Sequence, residues 1–261
     1  MPVGVELAQT AKLVAFVAGL AVFFILERFA WPYARRPLFN KSHLLRNGAF
    51  VLTTVLASRW WVVPLTLAAT RTPVGRPLDL PEPLLLAVHL ILLDLALYVW
   101  HRLNHEIPFL WRFHEIHHRD AHMDSTTALR FHFGELMLSA LFRCGVIMLL
   151  AIPFAHVLLY EALVVVCIFF HHSNIRLPTG WERRLSPYII TPGLHWMHHH
   201  KKRIDTDSNY GVSIVFWDKL FGTYTPAARK PDMPLGVEGT KGDLSLKKLM
   251  MRPFQRAGRG V

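Results

Sequence analysis

Sixteen histidines stand in this 261-residue chain, seven of them between His101 and His132 and six between His171 and His200. Imidazole can bind metal, move protons or simply pack, and spacing separates these uses. Residues three and four apart share one helix face. His101 and His105 continue such a stripe from Asp94 and Tyr98, and Pro108 ends it. His114, His117 and His118 form an H-x-x-H-H face. His195, His198 and His199 form a second one behind Pro192 and Gly193, where a helix can restart. Two converging triads and a further pair exceed what one ion accepts, since zinc takes about four ligands in a structural site and about three plus water in a catalytic one. Two octahedral ions with positions open to oxygen would use about eight to ten ligands. Imidazole suits iron, zinc, copper and nickel alike; the ligand count and the apolar setting favour iron and dioxygen chemistry. A solvated basic patch would not need the repeated spacing. His43, His89 and His156 stand apart and read as packed helix residues, and His200 points off the face of its triad.

Two other chemistries fit part of the pattern. His114-Glu115-Ile116-His117-His118 satisfies H-E-x-x-H, so a zinc-dependent membrane metalloprotease would put His114 and His118 on one zinc with Glu115 as general base. That reading leaves His101, His105, His195, His198 and His199 idle. A carboxylate-rich di-iron bundle would need paired Glu-x-x-His helices, which are absent. A non-catalytic histidine-rich transporter or sensor is a further class, separated by metal flux without oxygen or reductant.

The elements that must position these residues are apolar helices. Hydrophobic residues make up 52% of the chain and charged ones 18%, with a mean hydropathy of +0.28. Five apolar stretches run at about Leu13 to Trp31, Ala49 to Thr70, Leu84 to Trp100, Leu136 to Pro153 and Phe154 to Phe170. A spanning helix needs roughly 20 such residues, so the first two qualify, the last three are short, and the last two read as a hairpin joined at Pro153. The reading is an all-α polytopic membrane protein with about four to five transmembrane or hairpin helices. The first stretch reads as an anchor, without the small-residue cleavage site of a signal peptide. Its following loop carries Arg35, Arg36, Lys41 and Arg46, which places that loop and both histidine regions on the cytosolic side. The net charge of +11 then points to anionic lipid before nucleic acid. Cys144 and Cys167 lie in apolar runs and read as packing residues, which excludes a disulfide scaffold. Arg59, Asp94, Arg143 and Glu161 interrupt the apolar runs, as two mutual ion pairs or as functional groups. The organisation divides into membrane helices over 1–83, a catalytic region over 84–225 and a loosely ordered basic tail over 226–261.

These residues resemble the fatty acid hydroxylase/sterol desaturase superfamily of membrane di-iron enzymes. The matching text runs from Asp94-x3-Tyr98-x2-His101-Arg102-x2-His105 through Leu110-Trp111-Arg112-Phe113-His114-x2-His117-His118, His122 and Thr126 to His132. It continues with His172-Ser173-Asn174, His195-x2-His198-His199, Asn209-Tyr210-Gly211 and Trp217-Asp218-x2-Phe221-Gly222-Thr223. The resemblance implies a cytosolic histidine-rich cap on a helical base, holding two Fe ions. By position its ligands are His101, His105, His114, His117, His118, His195, His198 and His199, with His172 as the ninth. His122, His132, His171 and Asn174 stand second, as ligands or outer partners, together with Asp94, Tyr98 and Glu115. Carboxylates such as Asp94, Glu115, Asp120 and Asp218 are candidate acceptors for ligand N–H groups. Such enzymes take dioxygen as co-substrate and hydroxylate an unactivated C–H bond of a lipid (a sterol, fatty acyl or related chain), with desaturation as the alternative outcome. No His-Pro-Gly-Gly haem signature or ferredoxin-type cysteine set appears, so the expected electron donor is a separate cytochrome b5- or ferredoxin-type partner. It could dock near Lys201, Lys202 and Arg203, although a lipid-facing charge run is the simpler reading of those three. The bacterial inner membrane and the endoplasmic reticulum fit equally.

Overall fold

Long unbroken apolar runs can only be helices when lipid surrounds them, because every backbone group must then bond within its own segment. The computed structural model describes residues 3–255 apart from 36, 38, 227, 228 and 241. Its elements are α1 (Val3–Ile25), α2 (Lys41–Ala57), α3 (Val63–Arg71), α4 (Glu82–Glu106), α5 (Pro108–His118), α6 (Phe133–Leu150) and α7 (Phe154–His172). Five short helices follow: α8 (Trp181–Leu185), α9 (Pro192–His198), α10 (Arg203–Thr206), α11 (Phe216–Leu220) and α12 (Leu246–Met251). Among the described residues there is no strand, only three isolated bridges. Five rods are long and apolar enough to cross a bilayer, which makes this a multi-pass membrane protein.

Local chemistry explains how the rods differ from the sequence expectation. α2 and α3 form one rod because a π-helical turn at Ser58–Val62 absorbs Pro64, which has no N–H to give its helix. The third stretch is not short. Residues 101–106 stay helical, so α4 has 25 residues and reaches about 37 Å. Ala151 takes a left-handed conformation (φ +52°) at the end of α6, and Pro153 starts α7, giving the expected hairpin. A core of Leu93, Cys144, Ile147, Val157 and Tyr160 joins α4, α6 and α7. α1 lies along α7, with Phe16 edge-on to the fully buried Phe169. Leu13, Leu52, Trp60, Leu149 and Leu163 stay exposed, as a lipid-facing surface requires. Both cysteines are free.

Of the four interrupting charges, two pair with each other. Arg143 reaches Glu161 at 3.1 Å, and Lys12 bonds the other oxygen of the same carboxylate. Asp94 instead accepts from the Trp217 indole at 2.9 Å and the Tyr160 hydroxyl at 3.2 Å, and Arg59 lies over the Trp60 ring. His89 and His156 bond each other at 2.9 Å, and His156 also bonds Glu82.

The described part of the tail is not loose. Leu249 is fully buried against Phe50 and Ile116, and Leu235 is buried beside Trp196. Asp243 accepts from Arg130 at 2.9 Å and from Arg46 at 3.0 Å, and Arg252 bonds Glu115. The basic composition hid two apolar anchors and one acid that meets buried arginine. Residues 256–261 lie outside the described residues.

Candidate metal centre

Four elements bring the imidazoles together. α4 ends with His101 and His105 one turn apart, and Pro108 then starts α5 in a new direction. α5 supplies His114, His117 and His118, and the last residue of α7 is His172. Thr191 caps α9, its hydroxyl accepting from the Leu194 N–H, and α9 with its C-cap residue presents His195, His198 and His199. All nine rings are buried.

They fall into two neighbouring groups. His101, His105, His114, His118 and His198 offer ring nitrogens that lie within 4.8 Å of one another, and His117, His172, His195 and His199 do the same. Each H-x-x-H-H triad is therefore divided rather than convergent on one point. Helical rotation explains this: the third and fourth residues after the first point about 100° apart, so neighbouring rings face different groups. The stacked rings of His118 and His199, 4.2 Å apart, are one contact between the groups.

Facing ring nitrogens are close: His118 to His114 at 3.2 Å, and His172 to both His117 and His195 at 3.0 Å. Within these two groups, seven buried ring nitrogens have no protein partner: His105 Nε2, His117 Nδ1, His118 Nδ1, His195 Nδ1, His198 Nε2 and both of His199. Buried polar atoms are otherwise satisfied in folded proteins. Burial above all, and then the neighbouring rings, hold His117, His118, His195 and His199 well below the usual imidazole range. Burial also pushes His198 down to about 3, with the Ser208 carbonyl opposing it. Neutral imidazoles with unshared lone pairs are what a transition metal accepts, and a donor set without carboxylate suits iron, zinc, copper or nickel rather than magnesium or calcium. The residues present fit two such ions.

Outer partners set the ring orientation. A carbonyl can only accept, so His101 Nδ1 donates to Tyr210 O at 2.7 Å, His198 Nδ1 to Ser208 O at 2.7 Å and His172 Nδ1 to Ile168 O at 2.7 Å. Each leaves Nε2 for metal. The 208–211 loop is built for two of these bonds. Asn209 is left-handed (φ +52°), and its side chain ties Leu194 O and Thr225 on either side. Asp218, fully buried, accepts from the Tyr210 and Gly211 N–H groups at 2.8 Å. Burial raises Asp218 to about 6 against those bonds. A Cβ on Gly211 would stand 2.7 Å from the Asp218 carboxylate and 2.8 Å from Ile214 O, so only glycine fits.

Two acids that bond ligand rings have no signal in the sequence spacing. Glu135 meets His114 Nδ1 at 2.8 Å, and Asp207 meets His105 Nδ1 at 3.4 Å. Gly134 lets the first turn of α6 approach Phe113, where a Cβ would come within 2.6 Å of the ring. Trp111 packs 5.0 Å from His105, and Phe131 stacks 4.6 Å from His117.

The remaining sequence candidates lie around these groups. His171 packs 4.0 Å from His195 and bonds Val212 O. His132 caps α6 and reaches Met250 O, and His122 bonds Asn40. Asn174 bonds the Ala34 backbone through both ends of its amide. Tyr98 bonds Thr223 at 2.9 Å. Among the described residues, none of Asp94, Glu115, Asp120 and Asp218 accepts from a ligand ring. Asp94 sits seven residues, or about 10 Å, along α4 from His101. Asp120 serves His43 and Thr127, and Asp218 acts only through the Tyr210 backbone. Glu115 turns about 100° from His114 to meet Arg252, away from the rings that a metalloprotease base would serve. His200 turns off to Asp205, and Arg203 bonds Asp207 and His105 O.

Comparison with known proteins agrees with this geometry. The chain is 27% identical to ornithine lipid hydroxylase OlsE of Rhizobium tropici, over 94% of this chain and 76% of that one. It is 31% identical to alkylglycerol monooxygenase of Xenopus tropicalis over 52% of this chain, but the match spans only 30% of that relative. Human cholesterol 25-hydroxylase is 29% identical over 64% of this chain and 63% of its own. No solved structure matches. The profile described as Fatty acid hydroxylase matches residues 86–223, from α4 through the 208–211 loop that holds ligand rings in place to the residues just beyond α11, and the chain belongs to that family.

Proposed function

We propose that this chain is a di-iron oxidoreductase that uses dioxygen to hydroxylate a C–H bond of a membrane lipid. The supporting observation is the pair of adjacent, buried, all-imidazole groups at the ends of apolar helices. His101, His105, His114, His118 and His198 would hold one iron, and His117, His172, His195 and His199 the other. Bound there, the irons supply the reduction of dioxygen and the removal of hydrogen from an unactivated carbon. The protein's own contribution is to fix ring tautomers through Glu135, Asp207 and the 208–211 carbonyls, and to exclude water by burial. Relatives named for hydroxylation of ornithine lipid, alkylglycerol and cholesterol favour hydroxylation over desaturation.

Converting R–H and O2 to R–OH and water takes two electrons and two protons, so a redox partner must deliver the electrons. Arg35 and Arg36 before α2, with Lys41 and Arg46 in its first turns, favour the cytosolic side for the histidine groups. Purified protein is expected to hold about two irons per chain, within the ligand count that nine imidazoles allow. Cells with the chain should show a lipid that has gained one oxygen atom, only when dioxygen is supplied. A product that had lost two hydrogens would shift the reading to desaturation. One bound zinc and no oxygen-dependent product would overturn it.

A further inference from the structure

Asn104 is buried on α4 between the ligands His101 and His105, and neither Nδ2 nor Oδ1 of its amide has a protein partner. Outside the grouped rings, it is the one described side chain with both polar ends buried and unpartnered. Glu135 adds a third such atom: one carboxylate oxygen meets His114, and the other, Oε2, bonds nothing. Folded proteins rarely leave such atoms unpaired, because each has given up water without a replacement.

Both residues belong to one seam between helices. A cavity of about 100 Å³ lies between α4, α6 and α7, walled by Leu97, Trp100, Ser139, Phe142, Arg143 and Val164 among others. Helical rotation puts Asn104 within about 20° of Leu97 on α4, and Glu135 within about 20° of Phe142 on α6. Trp100 stands one turn before Asn104, and Ser139 one turn after Glu135. Each polar residue is therefore one turn beyond the cavity, on the side of the metal groups. Ligand pockets run to roughly 300–1,000 Å³, so this cavity takes a stretch of chain rather than a whole lipid. All three helices are long and apolar enough to cross a bilayer, which makes lipid the medium around them.

We propose that this seam receives a segment of the lipid substrate, and that the segment carries a group that both donates and accepts hydrogen bonds, a secondary amide or a hydroxyl, which Asn104 reads. The inference rests on the lipid reading above and names the class of lipid. A carboxamide facing a secondary amide forms two bonds at once: Nδ2 donates to the ligand carbonyl, and Oδ1 accepts from the ligand N–H. A hydroxyl accepts from Nδ2 and donates to Oδ1 or to Glu135 Oε2. An ester or ether only accepts, and would leave both of those oxygens unpaired where water is excluded. Arg143 Nε, in the cavity wall, is a further unpartnered donor, open to any acceptor, and does not discriminate between these groups. The apolar wall holds the chain that continues from the polar group.

The test is equilibrium binding to the full chain in nanodiscs, with its metals bound and with dioxygen and reductant left out so that nothing turns over. Three probes share one backbone length: N-octyldecanamide, nonadecan-10-ol and octyl decanoate, compared at equal mole fraction of the bilayer. The amide or the alcohol should bind at least about ten-fold more tightly than the ester, and the tighter of the two identifies the group. Asn104→Leu should reduce that preference to within about two-fold, because the atoms that enforce it are gone. The probe series on the unaltered chain decides the matter even where the variant does not fold. An ester that binds as tightly as the amide and the alcohol would overturn the proposal and mean that trapped water alone satisfies Asn104. A preference that survives Asn104→Leu unchanged would overturn it too. Selectivity in a chain that makes no oxygenated product when given iron, dioxygen and electrons would leave the seam standing as a binding site and remove only the hydroxylase reading.

Discussion

Glu135 and Gly211 are the residues whose roles are most sharply defined by contacts the spacing does not reveal. Glu135 orients His114, so Glu135→Ala should lower metal affinity about 10–100-fold, as removal of such partners does elsewhere. Glu135→Gln, which keeps an oxygen acceptor, should lose less. A chelator competition measured on both variants checks this, and unchanged affinity in the alanine variant would remove Glu135 from the site. Gly211→Ala must displace the Asp218 carboxylate or the Ile214 carbonyl, and with them the Tyr210 carbonyl on His101. The expected cost is about 1–3 kcal/mol, read as a lower unfolding midpoint together with weaker metal retention. Eight of the nine grouped imidazoles were legible because helical spacing is local, and His172 was named only through the family resemblance. Glu135 and Asp207 were not, because they lie 21 and 102 residues from the rings they bond.

At the scale of elements, the α6–α7 hairpin could be read from Pro153 and two apolar runs, and its ion pair could be located but not assigned. Glu161→Gln leaves Lys12 and Arg143 facing each other inside the helical bundle, and should destabilise the protein by a few kcal/mol. Replacing Arg143 and Glu161 together by leucine should recover part of that loss, and thermal unfolding in detergent would compare the two. No recovery in the double variant would mean that the pair does more than neutralise itself. α12 shows the opposite case. Its Gly-, Pro- and Lys-rich surroundings conceal Leu249, which packs on Ile116 one residue before a ligand. Leu249→Ala should cost about 2–5 kcal/mol, measured by denaturant unfolding. A change near zero would show that the tail only rests on the cap.

For the molecule as a whole, the all-helical class and the membrane setting followed from apolar length, whereas the fastening of cap to helices depends on long-range bonds such as Arg130 to Asp243. The same burial sets a pH dependence. His117, His118, His195, His198 and His199 are held below the ordinary imidazole value of about 6.5 when folded. Between that value and the depressed folded values, the unfolded chain binds more protons, so stability falls as pH falls. Each such ring contributes up to about 1.4 kcal/mol per pH unit in that window. Metal-stripped protein should therefore lose stability steeply from pH 7 to pH 5. A flat profile would mean that the rings are open to water.

The division of each histidine triad between two ions has a consequence for assembly. α5 and α9 each lend rings to both, so seating the first ion orders the turns that must receive its neighbour. Titration of the stripped protein should give one sigmoidal uptake curve rather than two independent steps, and species carrying a single ion should stay scarce at every ratio of metal to chain.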